Sequence, residues 1–241
     1  VASAYFAPTE TARQALLREG CCDRDIYVTG NTVVDALNDV AAREYDWKSG
    51  PLCQLPLDKR LVLITAHRRE SFGDPFRQLC LAIRELAHTF ANDSVHFVYP
   101  VHLNPHVRQP VNDVLSGLSL IEPLDYLSLV HLMKRSTLIL TDSGGIQEEA
   151  PGLQVPVLVM RDTTERPEGI AIGVVRLVGT QRCRIVREAE KLLRDPASRA
   201  AMTAGTNPYG DGRAARRIVA ILLERAGPLH ENREMHSRVR A

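Results

Sequence analysis

Short apolar runs alternating with amphipathic segments fill residues 60–195, and this alternation limits the possible folds more than any other feature. The runs are "RLVLITA", "VHFVYP", "LSLIEPL", "TLILT", "PVLVM" and "VRLVG". Between and after them come "DPFRQLCLAIRELAHTF", "VRQPVNDVLSGL" (weakened by Pro110), "DYLSLVHLMKRS", "IQEEAPGL" (broken at Pro151) and "RCRIVREAEKLLRD", which carry apolar residues at helical spacing. A strand that is apolar on both faces has to be covered on both faces. Strands of that kind separated by helices therefore predict a parallel sheet with helices on either side, an α/β doubly wound domain over about residues 55–205.

The flanks read differently. "YFAPTETARQALLREG" predicts a short strand and a helix of about ten residues capped by Thr9 and stopped at Gly20. "DIYVTGNTVVDAL" predicts a strand over 26–29 and a second helix start. Residues 46–60, with a glycine and two prolines, read as a linker. "GTNPYGDG" reads as a turn-rich entry to a closing helix, so that 206–226 close the fold and 227–241 form a disordered tail.

Composition excludes several classes. Thirty basic and 29 acidic residues leave a net charge of +1, which gives no global field for nucleic acid or a membrane surface. No apolar run approaches the roughly 18 residues of a membrane span. The five cysteines lack metal-ligand spacing, and Cys21 and Cys22 are adjacent. Reduced thiols in a cytoplasmic protein are the expectation. The chain opens on apolar residues without an initiator methionine or signal peptide, as though cut from something longer.

In a doubly wound sheet, ligands sit beyond the carboxyl ends of the strands. Polar residues fall at five such ends here: His67, His102, Glu122, Ser143 and Arg161. "DSGGIQEE" places Ser143, Gly144 and Gly145 where a strand turns into a helix, which suits backbone approach to an anion such as a diphosphate. It is neither a Walker motif nor GxGxxG, and a plain tight turn would use the same residues. Glu149 lies one turn on, placed either to accept hydrogen bonds from a ribose diol or simply to face solvent. His67 stands beside Arg68 and Arg69, a proton-carrying ring next to phosphate-binding forks. "YPVHLNPHVR" adds His102, His106 and Arg108. "RDTTERPE" offers Arg161, Asp162, Glu165 and Arg166, either as an ion-pair brace or with Arg166 meeting phosphate. Zinc spacing such as HExxH is absent, so no metal and no cofactor are expected.

Taken in order, "FAPTE", "VTGNTVVDAL", "HRRESFG", "YPVHLNP", "TDSGGIQEEAPGL", "VPVLVMRDTTERPE" and "NPYGDG" resemble the non-hydrolysing UDP-N-acetylglucosamine 2-epimerases, from about residue 5 to 226. The resemblance implies a GT-B-type fold of two Rossmann-like domains. This chain would then be the C-terminal domain with a remnant of the N-terminal one over 1–45. It implies an isomerase that interconverts UDP-GlcNAc and UDP-ManNAc for cell-envelope polysaccharide, by anti elimination and readdition of UDP. By motif match it makes Ser143, Gly144 and Gly145 the diphosphate seat, Glu149 the ribose ligand, Arg166 a nucleotide contact and His67 a catalytic histidine. Leu124 and Leu129 fall where the family lines its uracil pocket. Arg68 and His102 match positions that contact a second, activating UDP-GlcNAc in some bacterial members. The family often dimerises.

Two departures from the family stand out. Leu129 replaces a common aromatic residue, and Gln154 a common glycine. The acid–base carboxylates belong to a part of the family's length with no counterpart here, so the resemblance implies little or no turnover by this chain alone. A GT-B glycosyltransferase using a UDP-sugar, or a non-catalytic nucleotide-sugar-binding chain, would share the same grip.

Overall fold

The apolar runs become strands that sort into two sheets in the computed structural model, which describes residues 2–227. In chain order the elements are β1 (Tyr5–Ala7), α1 (Glu10–Arg18), β2 (Ile26–Val28), α2 (Thr32–Ala41), β3 (Arg60–Thr65), α3 (Asp74–Thr89), β4 (Val95–Pro100), α4 (Pro105–Val114) and β5 (Ser119–Ile121). They continue with α5 (Tyr126–Arg135), β6 (Ser136–Thr141), α6 (Gly144–Glu149), β7 (Val157–Val159), α7 (Pro167–Ala171), β8 (Val175–Leu177), α8 (Arg182–Arg194), α9 (Pro196–Thr203) and α10 (Ala214–Ala226).

The larger of two units holds residues 36–208. Its six-stranded sheet runs in the order β5-β4-β3-β6-β7-β8, and every pairing is parallel. This is the doubly wound arrangement that the apolar strands predict. Leu61, Val62, Leu63 and Ile64 of β3 are all fully buried, because alternate residues enter different apolar layers. Val62 and Ile64 meet Leu79, Ile83 and Leu86 of α3 and Ile185, Ala189 and Leu192 of α8. Leu61 and Leu63 meet Val130, Leu132 and Met133 of α5 together with Val155 and Val157.

Residues 46–60 are not a linker. Leu52 and Leu55 are buried in the second of these layers, and Trp47 and Leu57 pack at its edge. Gly50 and Pro51 shape a single 3-10 turn that aims Leu52 inward. The unit begins at residue 36, so 36–45 and the expected linker both belong to it. Two helices were not foreseen. Pro167 and Pro196 start α7 and α9, and Asp195, which ends α8, also caps α9 by accepting from the Ala197 amide. Gln154 adopts the left-handed conformation (φ 56°) at the end of the turn after α6, a geometry that glycine adopts with less strain.

His131 of α5 is buried and its ring stacks on Tyr45 at 4.9 Å. Its Nε2 has no hydrogen-bond partner among the described residues. Burial lowers its pKa, and Lys134 acts in the same direction. The unfolded chain then binds a proton near 6.5 that the folded chain refuses, so stability falls as pH drops below that value. His131→Phe is expected to flatten the decline of melting temperature between roughly pH 7 and pH 5. An unchanged slope in pH-dependent thermal unfolding would show that His131 does not carry it.

Among the described residues the smaller unit joins 2–35 to 209–227. The boundary expected after residue 45 falls after 35, and the closing segment from 209 on groups with the first part of the chain. β1 and β2 pair in parallel, Phe6 stacks on Tyr27, and Thr9 caps α1 through the Ala12 amide. Gly30 (φ 87°) and Gly210 (φ 137°) lie back to back. A Cβ on Gly210 would sit 3.3 Å from the Gly30 Cα, while the Asn31 amide donates to the Tyr209 carbonyl at 2.7 Å. Asp35 accepts from the Ala214 and Ala215 amides and so caps α10. The expected tail, apart from Gly227, lies outside the described residues. Among those described, no helix is long and apolar enough to cross a membrane.

Candidate functional site

β3 and β6 are neighbours at the centre of the sheet, and the chain leaves them toward opposite edges, which opens a crevice beyond their carboxyl ends. The Thr65 and Thr141 hydroxyls are hydrogen-bonded across the last pair of residues at 2.6 Å. Asp142 follows, fully buried. Its amide donates to the Thr65 carbonyl, and its Oδ2 accepts from the His67 and Arg68 amides at 2.7 and 2.8 Å. Its Oδ1 has no hydrogen-bond partner among the described residues. Burial raises the carboxyl's pKa, against the pull of those amides and of His67 and Arg68.

The turn continues through Ser143, whose amide donates to Thr141 Oγ1, into Gly144 at the start of α6. The helix therefore includes both glycines and begins before the expected Ile146. A Cβ on Gly144 would lie 3.2 Å from Arg68 Nη2 and 3.9 Å from Arg166 Nη2. Two guanidinium groups from the ends of two different strands thus converge on the bare face of one glycine. A Cβ on Gly145 would lie 3.5 Å from Glu149 Oε1.

Carboxylates hold these arginines in place. Arg166 Nε donates to Glu148, and Arg68 reaches Glu165 at 3.4 Å. Arg161 is buried under both loops. It donates from Nε to Glu70 at 2.6 Å and from Nη1 and Nη2 to the two oxygens of Glu165 at 2.9 and 3.0 Å. The guanidinium pulls the Glu165 pKa down to about 2. In "RDTTERPE", Arg161 and Glu165 form the ion-pair brace, while Arg166 pairs with Glu148 and brings its Nη2 near Gly144. Gln147, fully buried, donates to the Ser143 carbonyl and accepts from Thr164, which ties α6 to the loop after β7.

Glu149 is buried rather than solvent-facing. Its Oε2 accepts from the Tyr126 hydroxyl at 3.0 Å. Burial raises its pKa and Glu148 adds to the effect, while the Tyr126 bond opposes it. The His67 and His102 rings stack at 5.1 Å. Partial desolvation lowers the His67 pKa, Asp142 opposes the shift, and His102 and Arg68 reinforce it. Leu124 and Leu129 pack against the apolar layer that contains Ile146 of α6. His106 stacks on Phe72 and Arg108 pairs with Glu122. Among the described residues no group of three or more His, Cys, Asp or Glu could hold a metal ion.

The sequence reading did not single out Asp142, Gln147 or Tyr126. The first two face inward, and only the strand order reveals what they touch. Tyr126 did carry a local signal, since it directly follows Asp125, which caps α5 through the Ser128 amide.

The family profile described as UDP-N-acetylglucosamine 2-epimerase matches residues 1–223. The chain belongs to this family. The epimerase of Escherichia coli K12 is 51% identical over 227 residues, which are 90% of this chain and 60% of that protein. The Neisseria meningitidis UDP-GlcNAc 2-epimerase, solved bound to UDP-GlcNAc, superposes with a TM-score of 0.84 at 43% identity, covering 92% of this chain and 62% of that one. The Methanocaldococcus jannaschii enzyme, solved with UDP-GlcNAc and UDP, gives 0.73 at 32% identity, covering 92% and 61%. The resemblance read from the seven motifs and the Rossmann-like parallel sheet both stand. The chain spans about 60% of the length of the curated epimerases it matches.

Proposed function

We propose that this chain grips the nucleotide of UDP-GlcNAc and UDP-ManNAc for an epimerase that interconverts them at C2. The observation that carries this reading is the convergence of Arg68 and Arg166 on Gly144 at the switch point, in a chain of this family. Ser143, Gly144 and Gly145 seat the diphosphate with backbone amides, and Arg68 and Arg166 supply positive charge above it. Glu149, poised by Tyr126, takes the ribose hydroxyls. Leu124 and Leu129 form an apolar floor for uracil, with Tyr126 on the same helix as the nearest aromatic ring in sequence. His67 stands beside the diphosphate, and the His67–His102 stack with Arg68 makes a platform for a second UDP-GlcNAc.

In an anti elimination a base takes the C2 proton while the electrons of the breaking C1–O bond pass to UDP. Charge then builds on the diphosphate, where the two arginines and the glycine turn lower its cost. The carboxylates around the turn each have a partner on at least one oxygen: Asp142 the loop amides, Glu148 Arg166, Glu149 Tyr126, and Glu70 and Glu165 Arg161. That engagement supports a chain that binds UDP without abstracting the C2 proton. The exposed thiols of Cys22, Cys53 and Cys183 suit a reducing cytoplasm.

Calorimetry of the purified chain is expected to show one UDP site, and UDP-GlcNAc incubated with it in heavy water is expected to keep its C2 proton. Absence of binding at millimolar UDP would sink the nucleotide reading. Deuterium at C2, or UDP-ManNAc in the NMR spectrum, would instead place a working base in this chain.

A further inference from the structure

The least expected group at the crevice is a fully buried carboxylate that uses one of its two oxygens. Asp142 Oδ2 takes two loop amides, whereas Oδ1 is buried without a partner among the described residues. Asparagine would serve equally well as a plain cap for those amides, without the cost of burying a charge. The carboxylate also consumes the two amides that would otherwise form their own anion cradle beside the Ser143–Gly144 turn. With the backbone of His67 and Arg68 pinned, the Arg68 guanidinium is delivered over Gly144 and the His67 ring onto His102.

We propose that Asp142 is a positioning residue of the nucleotide site. Its carboxylate holds the His67–Arg68 backbone against the glycine turn across the switch point and keeps a negative charge beside the His67 imidazole. The proposal rests on the nucleotide reading given above. The charged and titratable groups facing His67 are Asp142 from the end of β6, His102 from the loop after β4, and Arg68 from its own loop. Those facing Asp142 are His67, Arg68 and the Tyr99 hydroxyl of β4. Tyr99 donates to the Ala66 carbonyl and so fixes the same loop from beneath.

The test uses the isotope-labelled 241-residue chain. In the unaltered protein the His67 and Arg68 amides are expected to exchange with solvent at least about a hundredfold more slowly than the neighbouring Arg69 amide. In Asp142→Asn, which keeps an acceptor for both amides but removes the charge, the His67 imidazole is expected to titrate at measurably lower pH than in the unaltered chain. UDP affinity at neutral pH is expected to drop about tenfold. A merely structural cap would leave the His67 titration where it was, and that result would overturn the proposal. So would fast exchange of the two amides, a measurement on the unaltered chain that does not depend on the variant folding. Failure of the unaltered chain to bind UDP would remove the nucleotide reading, while the amide and imidazole measurements would still decide whether Asp142 holds the loop.

Discussion

Gly144→Val is expected to weaken UDP binding about a hundredfold while shifting the melting temperature by no more than a few degrees. The first Cβ position lies 3.2 Å from Arg68 Nη2 and 3.9 Å from Arg166 Nη2, both of them ends of flexible side chains that can yield. Gly144 is not among the glycines with positive φ, so its backbone accepts a branched residue. The valine methyls would instead fill the space in which a phosphate oxygen can meet both guanidinium groups. Each charge-assisted hydrogen bond lost costs about 1.5–3 kcal/mol, and 1.4 kcal/mol is a factor of ten in affinity. Calorimetry and thermal unfolding on the same sample separate the two effects. A variant that binds UDP as tightly as the unaltered chain would mean that the diphosphate sits elsewhere.

Arg161→Met is expected to have the largest effect on stability among the loop residues of the site. Its side chain is only 5% exposed and donates to two carboxylates, Glu70 and Glu165, that are each about half exposed. Removing the guanidinium leaves two like charges facing each other, but water can reach both. The cost therefore falls below the 3–5 kcal/mol of breaking a fully buried pair: about 2 kcal/mol, or roughly 4–8 °C in melting temperature. The pH dependence should change as well. Glu165 is held near 2 in the folded chain against an ordinary 4.5, so its contribution is complete above 4.5 and is lost as pH falls through about 2. Arg161→Met should lack that acid limb. Acid titrations that superpose for the two proteins would show that the brace contributes nothing.

The sheet was legible because parallel strands covered on both faces must be apolar along their whole length, as Leu61–Ile64 and Leu138–Leu140 are. Strand ends followed directly, and with them His67, His102, Ser143 and Arg161. Residues 46–60 were misread because Gly50, Pro51 and Pro56 signal turns, while the inward-facing Leu52 and Leu55 are too few to show a period. The pairings within the site were hidden for another reason. His67 and Asp142 are 75 positions apart in sequence, and only the adjacency of β3 and β6 brings them together. The burial of Glu149 and its bond to Tyr126 likewise depend on how α5 and α6 pack, which a helical period does not specify.

The division of the chain has a consequence for its synthesis. Asp35 caps α10 through Ala214, a contact between residues 179 positions apart, and residues 36–208 all come between the two parts of the smaller unit. A ribosome adding roughly 5–20 residues per second needs on the order of ten seconds or more to make that insert. Throughout that interval β1, α1 and β2 are already made while the Arg225 that meets Tyr27 and the Arg217 that meets the Thr29 carbonyl are not. The larger unit is one continuous stretch of chain, so it can fold before the second part of the smaller unit is made. Residues 5–28, made before that insert, thus meet these partners only after it is complete.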